Sequence, residues 1–137
     1  MKACLEPLKK QYDYILIDCM PSLGMLTINV LAAADSVIVP VQAHYLPLKG
    51  MIQLIQTIKK VQRQINPSLK VDGVLLTLAD MRTNLAQATE SSLKENYGKF
   101  IKVYHTVIPV AIKAAETSAA GKSIYSYDKD STVARAY

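Results

Sequence analysis

Short apolar runs alternate along this chain with longer stretches in which apolar residues recur every three or four positions. The short runs are rich in β-branched residues and predict β-strands at residues 14–18, 36–41, 71–78 and 101–107. The longer stretches predict helices at residues 2–11, 26–34, 47–66, 85–97 and 112–120, and a short extended piece follows at 123–127. Strands that alternate with helices indicate βαβ units, so the sequence predicts an α/β fold with a parallel sheet and flanking helices.

The chain is about the size of one domain. It has 137 residues, half of them hydrophobic and a fifth charged, as in ordinary globular proteins. We therefore expect a single domain over residues 1–137. The two cysteines, Cys4 and Cys19, have no metal-ligand spacing, so we expect free thiols in a reducing cytoplasm, with Cys19 at a buried strand end.

The predicted strand at residues 14–18 ends on a carboxylate, Asp18, and residues that break regular structure follow it directly. The run Tyr-Ile-Leu-Ile suits a strand that is buried on both faces of a parallel sheet. Its carboxyl end would lie in the crevice where open α/β sheets bind ligands, and an Asp there can hold Mg²⁺ beside a nucleotide phosphate. A buried strand that ends in a turn-forming Asp explains the same pattern, and the spacing alone does not decide between the two.

Four separate motifs occur in the order found in one protein family. They are DYILIDCMPSLGMLTINVLAAADSVIVPVQ at residues 13–42, GVLLTLADMRTNL at 73–85, TVIP at 106–109 and AAETSAAGKSIYSYD at 114–128. The first resembles the Walker B and switch region of the ParA partition ATPases, relatives of MinD, and the others continue the match through nearly the whole chain. Met20 stands where most members have proline.

The sequence departs from this family pattern in its glycines. The family has a deviant Walker A loop that ends in Gly-Lys-Thr, whereas this chain has five glycines, none near another. Gly121-Lys122-Ser123 spells the end of such a loop, but Glu116 stands where its first glycine is needed, so we expect a loop after a helix there. The chain thus resembles the carboxyl-terminal half of a ParA-like protein. The implied fold is a partial P-loop NTPase-like (SIMIBI-type) fold that lacks its first strand.

The resemblance implies residues on the phosphate side of a nucleotide site. Asp18 would be the Walker B carboxylate that holds Mg²⁺ beside ATP. Pro21, Ser22 and Gly24 would form the switch that senses the γ-phosphate. A plain turn explains Ser22 and Gly24 as well.

The resemblance also implies residues on the other side of that site. Thr77 and Asp80 would belong to the nucleotide-proximal loop that follows a parallel strand. Ile108 and Pro109 would pack against the adenine. A strand end explains Ile108 and Pro109 equally well.

Contacts with nonspecific DNA are a further implication of the resemblance. Basic residues at the positions of Arg82 and Lys113 face DNA in the ATP-bound family dimer. Many relatives have arginine where this chain has Val110, which cannot contact phosphate, whereas Lys113 replaces an arginine and keeps the positive charge. The net charge of +5 is compatible with DNA binding but does not show it. Two solvated surface charges are the alternative for Arg82 and Lys113.

Two functions remain open. In the first, the chain is part of a ParA-like ATPase that partitions a plasmid or mobile element on the nucleoid, with ATP and Mg²⁺, a homodimer, nonspecific DNA and a ParB-like partner. In the second, it is a non-catalytic truncated remnant or an interaction module. A MinD-like protein would need a carboxyl-terminal amphipathic membrane helix, and residues 131–137 offer none.

The missing first strand and loop predict two properties of the chain by itself. Without the P-loop lysine and its cradle of N–H groups, we expect no ATPase activity. In the family sheet, the missing strand lies between the 14–18 and 36–41 strands, so both are left with unpaired backbone groups. The chain can close the gap, pair with a second copy or stay partly molten. We expect marginal stability and self-association through those edges.

Overall fold

The computed structural model describes residues 1–20, 22–43 and 45–137, and of 45–49 the backbone only. A short 3₁₀ helix, Leu8–Lys10, follows the first helix. The other elements are α1 (Lys2–Leu5), α2 (Met25–Ala33), β1 (Ser36–Gln42), α3 (Tyr45–Gln64), β2 (Lys70–Ala79), α4 (Asn84–Tyr97), β3 (Val103–Pro109), α5 (Ile112–Ala120), α6 (Ile124–Asp128) and α7 (Thr132–Ala136).

One compact unit comprises Met1–Val37 and Gly50–Asp72. Apolar side chains of α2 and α3 supply its core. The apolar residues of α3 recur at a spacing that places them on one face, whereas α2 is apolar around most of its circumference. Its buried residues include Val30, Leu31, Ile58, Val61 and Leu69.

A buried amide, Asn66, connects the end of α2 with the loop after α3. Its Nδ2 atom donates hydrogen bonds to the carbonyl oxygens of Leu31, at 3.0 Å, and Ala34, at 2.9 Å. Its Oδ1 atom accepts a hydrogen bond from Ser68 Oγ at 2.8 Å. Carbonyl groups in the last turn of a helix have no partner within the helix, so Asn66 satisfies groups that would otherwise be left unpaired.

The other compact unit comprises Ile38–Lys49 and Gly73–Tyr137. Strands β2 and β3 pair in parallel within a sheet of order β1-β2-β3. Their register places Val74 opposite Val103, Leu76 opposite Val107 and Ala79 opposite Pro109. The carboxyl ends of β2 and β3 therefore lie side by side, and the loops that follow them begin at one edge of the sheet.

The three carboxyl-terminal helices follow β3 and share one core with it. Ile108 of β3 packs in a buried cluster with Ile124, Val133 and Ala134. Helix α7 contacts β3, and α6 contacts both α5 and α7. This apolar cluster holds α5 and α6 in place next to the carboxyl end of β3.

Strand β2 has an irregularity near its carboxyl end. The register with β3 shifts between Leu76 and Ala79. Between them, Leu78 has a φ of 49°, in the left-handed region that residues with a side chain seldom adopt. Bulges of this kind bend a strand and change where the following residues point. Here the residue directly after the irregular stretch is Asp80.

The predicted fold class is confirmed: the protein has an α/β fold with a parallel sheet and flanking helices. Helices α2, α3, α4 and α5 correspond to the predicted helices at 26–34, 47–66, 85–97 and 112–120, and the three strands lie where the last three apolar runs predict them. Gly121 ends α5 with a φ of 60° and Ser123 begins α6. Residues 121–123 are therefore a loop after a helix, as predicted. The single domain over 1–137 stays a prediction.

The strand predicted at residues 14–18 is wrong. These residues have no regular secondary structure, and Tyr14 and Leu16 are 86% and 93% exposed. Ile15 and Ile17 are half-buried, and Cys19 is exposed rather than buried. A strand requires a neighbour that pairs with its backbone, and the sheet in the described part of the chain contains only β1, β2 and β3.

Two shorter predictions are also wrong, for local reasons. Residues 123–127 are not extended but lie in α6 and its cap, because Ser123 Oγ accepts a hydrogen bond from Ser126 N at 3.2 Å and begins the helix. The predicted helix at 2–11 is divided into α1 and the 3₁₀ helix. Pro7 stands between the two and has no N–H to donate to a continuous helix. Among the described helices, none is long and apolar enough to cross a bilayer.

Candidate cleft at the carboxyl ends of β2 and β3

The loop from Asp80 to Thr83 is a tight turn that joins β2 to α4. The Asp80 carbonyl oxygen accepts hydrogen bonds from Thr83 N at 3.0 Å and Thr83 Oγ1 at 2.8 Å. Thr83 also begins α4, because its Oγ1 atom accepts a hydrogen bond from Ala86 N at 3.3 Å. Gln87 Nε2 donates to the Met81 carbonyl oxygen at 2.9 Å. These bonds fix the loop that carries the two charged side chains, Asp80 and Arg82.

The Asp80 carboxylate and the Arg82 guanidinium form a bidentate ion pair. Arg82 Nε lies 2.9 Å from Asp80 Oδ1, and Arg82 Nη2 lies 2.8 Å from Asp80 Oδ2. The Arg82 backbone N–H donates to the same carboxylate at 3.1 Å. These hydrogen bonds lower the pKa of Asp80 from 3.8 to about 2, and the Asp80 carboxylate raises the pKa of Arg82. The pair is exposed, since 90% of the Arg82 side chain is open to solvent.

This ion pair belongs to the lining of a cleft. Because Ala79 pairs with Pro109 across the sheet, and Val110 N lies 3.4 Å from the Ala79 carbonyl oxygen, the loops after β2 and β3 start next to each other. The cleft has a volume of about 360 Å³, and its lining residues are Ala79, Asp80, Met81, Arg82, Val107, Pro109 and Val110. The cleft is shallow and partly open to solvent, with apolar walls and one ion pair.

A second cation, Lys113, lies on α5 and is paired with α6. Its ammonium group forms an ion pair with the Asp128 carboxylate. Nearby, Tyr127 Oη donates a hydrogen bond to Glu116 Oε2 at 3.0 Å. The Asp128 carboxylate raises the pKa of Lys113, and Lys113 lowers the pKa of Asp128. The hydrogen bond to Glu116 raises the pKa of Tyr127.

Of the residues predicted for the phosphate side, the described ones, Asp18, Ser22 and Gly24, lie in the unit that contains the amino terminus. Asp18 is exposed and ends the irregular segment at 14–18, so its predicted place at the end of a strand is wrong. Ser22 is exposed, and its carbonyl oxygen accepts a hydrogen bond from Thr27 Oγ1. Gly24 is the residue that begins α2. Pro21 lies outside the described residues.

The cleft brings together three of the residues that the sequence singles out: Asp80, Arg82 and Pro109. Ile108, the neighbour of Pro109, is buried in the core cluster of the carboxyl-terminal helices instead. Thr77 is half-buried in β2, and the cleft lining does not include it.

Sequence reasoning missed two features of these sites. Val107 and Val110 line the cleft, and Val107 could have been found because it lies two residues before Pro109, on the same face of a strand. The partner of Lys113 could not have been found by spacing. Asp128 lies fifteen residues further along the chain, on another helix, and only the packing of α5 against α6 brings the two together.

One carboxylate is enough for the Mg²⁺ that the family pattern implies. Magnesium in nucleotide sites is commonly held by one or two carboxylates, with phosphate oxygens and water completing the shell. Within the described residues there is no group of three or more His, Cys, Asp or Glu side chains that could hold a metal ion by itself. Asp18 is an exposed carboxylate, which is the kind of ligand that such an ion would need, and its role as the Mg²⁺ ligand stays a prediction.

The fold and the position of the cleft define a class of protein. The structure of apo McdA from Cyanthece superposes on this chain with a TM-score of 0.83 at 17% identity, over 94% of this chain and 52% of that one. A cobyrinic acid a,c-diamide synthase from Mycobacterium smegmatis, with bound ATP analog and magnesium, superposes with a TM-score of 0.72 at 41% identity, over 79% of this chain and 42% of that one. The class is that of P-loop NTPase-like α/β proteins.

Sequence relatives narrow this class to a family. A family model described as "AAA domain" matches residues 1–71. The sporulation initiation inhibitor protein Soj of Bacillus subtilis is 47% identical over all 137 residues, which cover 53% of that protein. The chromosome partitioning protein ParA of Myxococcus xanthus is 42% identical over 137 residues, 48% of its length. The chain belongs to the ParA/MinD-type partition ATPases, and it spans about half the length of the curated relatives it matches.

Proposed function

We propose that this chain forms the base-binding part of a ParA-like nucleotide site and takes part in DNA partition. The cleft at the carboxyl ends of β2 and β3 carries this proposal. It lies at the edge of the sheet where α/β folds bind ligands, and it combines apolar walls with one ion pair. A related protein, the cobyrinic acid a,c-diamide synthase, has been solved with an ATP analog and with ADP, in each case with magnesium.

In this proposal, the predicted residues have separate roles. Pro109 and Val107 provide apolar contacts for the adenine, and the ordered loop at Asp80 lies beside them. Asp18 holds Mg²⁺, and Ser22 and Gly24 belong to the segment that responds to the γ-phosphate. Thr77 and Ile108 support the loops from within the sheet and the core.

Binding of Mg²⁺-ADP and Mg²⁺-ATP to the 137-residue chain tests the cleft. We expect changes of backbone amide NMR shifts to concentrate at residues 79–82 and 107–111. Pro109→Ala should weaken binding, whereas Ile112→Ala should not, because Ile112 is an exposed apolar residue outside the cleft lining. Shift changes that avoid both loops, or equal effects of the two substitutions, would contradict the proposal.

The proposed role also includes weak, sequence-independent DNA binding by Arg82 and Lys113. Both are exposed cations, and binding through phosphates should fall steeply as the salt concentration rises. The double substitution Arg82→Ala and Lys113→Ala should remove most of the affinity in an electrophoretic shift assay at low salt. Lys59→Ala with Lys60→Ala removes the same charge from exposed positions on α3 and is the control. An unchanged shift in the first double variant would refute the assignment.

The wider role follows from the family. We propose that the chain acts in the cytoplasm on the nucleoid, as part of an ATPase that dimerises with ATP and is stimulated by a ParB-like partner. Co-sedimentation with plasmid DNA in the presence and absence of nucleotide would test the link between nucleotide and DNA. Equal co-sedimentation under both conditions would contradict it.

A second candidate function, an interaction module without ATPase activity, is favoured by residues 14–18. Their exposed Tyr14 and Leu16 offer an apolar, unpaired segment to another chain. Sedimentation velocity over a range of concentrations tests self-association through this segment. Leu16→Lys should reduce it, whereas Ile112→Lys, at another exposed apolar position, should not.

A further inference from the structure

The two cations proposed to meet DNA phosphates share one feature: each is already paired with a carboxylate of the same chain. Arg82 pairs with Asp80, two residues before it, and Lys113 pairs with Asp128, fifteen residues after it. In both pairs the carboxylate is the less exposed partner, at 39% for Asp80 and 24% for Asp128, whereas the cations are 90% and 57% exposed. The positive charges thus face solvent with a negative charge held behind them.

The geometry of the Arg82 pair bears directly on phosphate binding. Asp80 occupies Nε and one hydrogen of Nη2, which together form an edge that also binds the two oxygens of a phosphate. The Arg82 backbone N–H holds the same carboxylate in place. A phosphate can therefore bind this edge only by displacing Asp80.

Lys113 has a more acidic neighbourhood than Arg82. Its ammonium group contacts Asp128, and Glu116 lies one turn further along the same helix. The charge of Glu116 acts on Lys113 in the same direction as that of Asp128. Tyr127 Oη donates to Glu116, which keeps this carboxylate next to the α5–α6 contact.

We propose that Asp80 and Asp128 act as internal competitors of DNA phosphate and weaken nonspecific DNA binding by occupying Arg82 and Lys113. This inference rests on the proposed role of these two cations in DNA binding. A phosphate that binds the Nε–Nη2 edge of Arg82, or the Lys113 ammonium group at the position of Asp128, exchanges with a carboxylate rather than with water, so that contact contributes less net free energy than a free cation would. Asp80 and Asp128 are positioning residues that set the strength of the contact, and they need not touch the DNA.

Neutral isosteres test the competition. Asp80→Asn and Asp128→Asn retain the shape of the side chain and remove its charge. Each should tighten the binding of a random-sequence DNA duplex about threefold at low ionic strength, as expected for release of an exposed ion pair. The dependence of affinity on salt should become steeper, by up to about 0.9 in the logarithmic slope for each cation that is released.

A double-mutant cycle separates competition from simple repulsion of DNA by a negative charge. If Asp80 acts through Arg82, Asp80→Asn has no effect in an Arg82→Ala background. If Asp80 only repels DNA through space, its effect persists there, and this result would overturn the inference. Glu90→Gln is the matched control, because Glu90 forms a comparable ion pair with Lys94 on α4 at 2.6 Å and its removal changes the net charge equally. An equal gain from Glu90→Gln would also overturn the inference.

The outcomes distinguish this inference from the proposed function. If Arg82→Ala with Lys113→Ala leaves DNA binding unchanged, the assignment of the cations fails and the inference fails with it. If that double variant weakens binding but the Asn variants do not tighten it, only the inference fails. Asp128 also joins α5 to α6, so thermal melting must show that Asp128→Asn is folded. The Asp80 cycle decides the question by itself if it is not.

Discussion

The Asp80 carboxylate holds its negative charge to unusually low pH. Its pKa in the folded chain is about 2, below the ordinary value of 3.8, because Arg82 donates hydrogen bonds to its ionised form. A lowered pKa means that the pair contributes fully above pH 3.8 and is lost as the pH falls through about 2. A ¹³C NMR titration of the carboxyl carbon should therefore have its midpoint near 2. Arg82→Gln should return the midpoint toward 3.8, and a midpoint near 3.8 in the unaltered chain would show that the pair does not form in solution.

Val110 lies in the cleft lining, at a position where the resemblance to the ParA family implies an arginine. Its side chain is exposed, so a longer, charged side chain can extend into solvent without displacing the core. Val110→Arg should strengthen DNA binding several-fold at low salt and increase the logarithmic salt slope by about 0.9, the value for one added phosphate contact. Ile112→Arg adds the same charge two residues further on, at another exposed position, and should have a smaller effect. Equal gains would mean that only net charge matters.

At the scale of secondary-structure elements, the end of α2 depends on one side chain from another element. Asn66→Ala removes one hydrogen bond to the buried Leu31 carbonyl group and one to the half-buried Ala34 carbonyl group, and should lower the free energy of unfolding by about 1–3 kcal/mol. Chemical denaturation monitored by circular dichroism measures this. Asn96→Ala, on the exposed surface of α4, where the amide bonds only to Ser92, is the control. A cost for Asn66→Ala no larger than that of the control would contradict the capping role.

The same residue illustrates what sequence can and cannot predict for these elements. The pair Asn66-Pro67 correctly indicates that helix α3 ends, because proline disfavours a helix at the residue before it. The reach of the Asn66 amide to Leu31 and Ala34 depends on how α2 and α3 pack, and no local pattern encodes it. The periodicity of apolar residues predicts helices such as α3, whose hydrogen bonds lie within the element. It predicts less well the strands and contacts that depend on a distant part of the chain.

Residues 14–18 show the same limit of sequence-based prediction for a strand. Their composition predicts burial and an extended backbone, but it contains no information about whether a neighbouring strand is present. The cleft was predictable in part, because Asp80 and Pro109 lie at the ends of two apolar runs that clearly predict strands. The ion pair of Lys113 with Asp128 was not, because it joins two helices through tertiary packing.

At the scale of the whole molecule, the 137-residue chain should not hydrolyse ATP at the rate of a partition ATPase. Its sequence has no Gly-rich loop with a P-loop lysine, and these groups supply most of the positioning and charge stabilisation in phosphoryl transfer. A phosphate-release assay on the purified chain measures this. Turnover that Asp18→Ala abolishes would contradict the prediction, whereas turnover that Asp18→Ala leaves unchanged would indicate a contaminating ATPase.

The irregular segment at 14–18 also has a consequence for the lifetime of the chain. Proteases bind their substrates as extended strands with accessible backbone groups, and exposed segments outside regular structure are where cleavage begins. Tyr14 and Leu16 are the side chains that chymotrypsin prefers, and both are almost fully exposed. Limited digestion followed by mass spectrometry should give the earliest cuts after these two residues, before any cut in β2 or β3. If this segment pairs as a strand in the sheet of another chain, its backbone is no longer accessible and these cuts are lost. Early cleavage after Tyr14 and Leu16 therefore indicates that the segment is unpaired, and an unpaired chain should be degraded sooner.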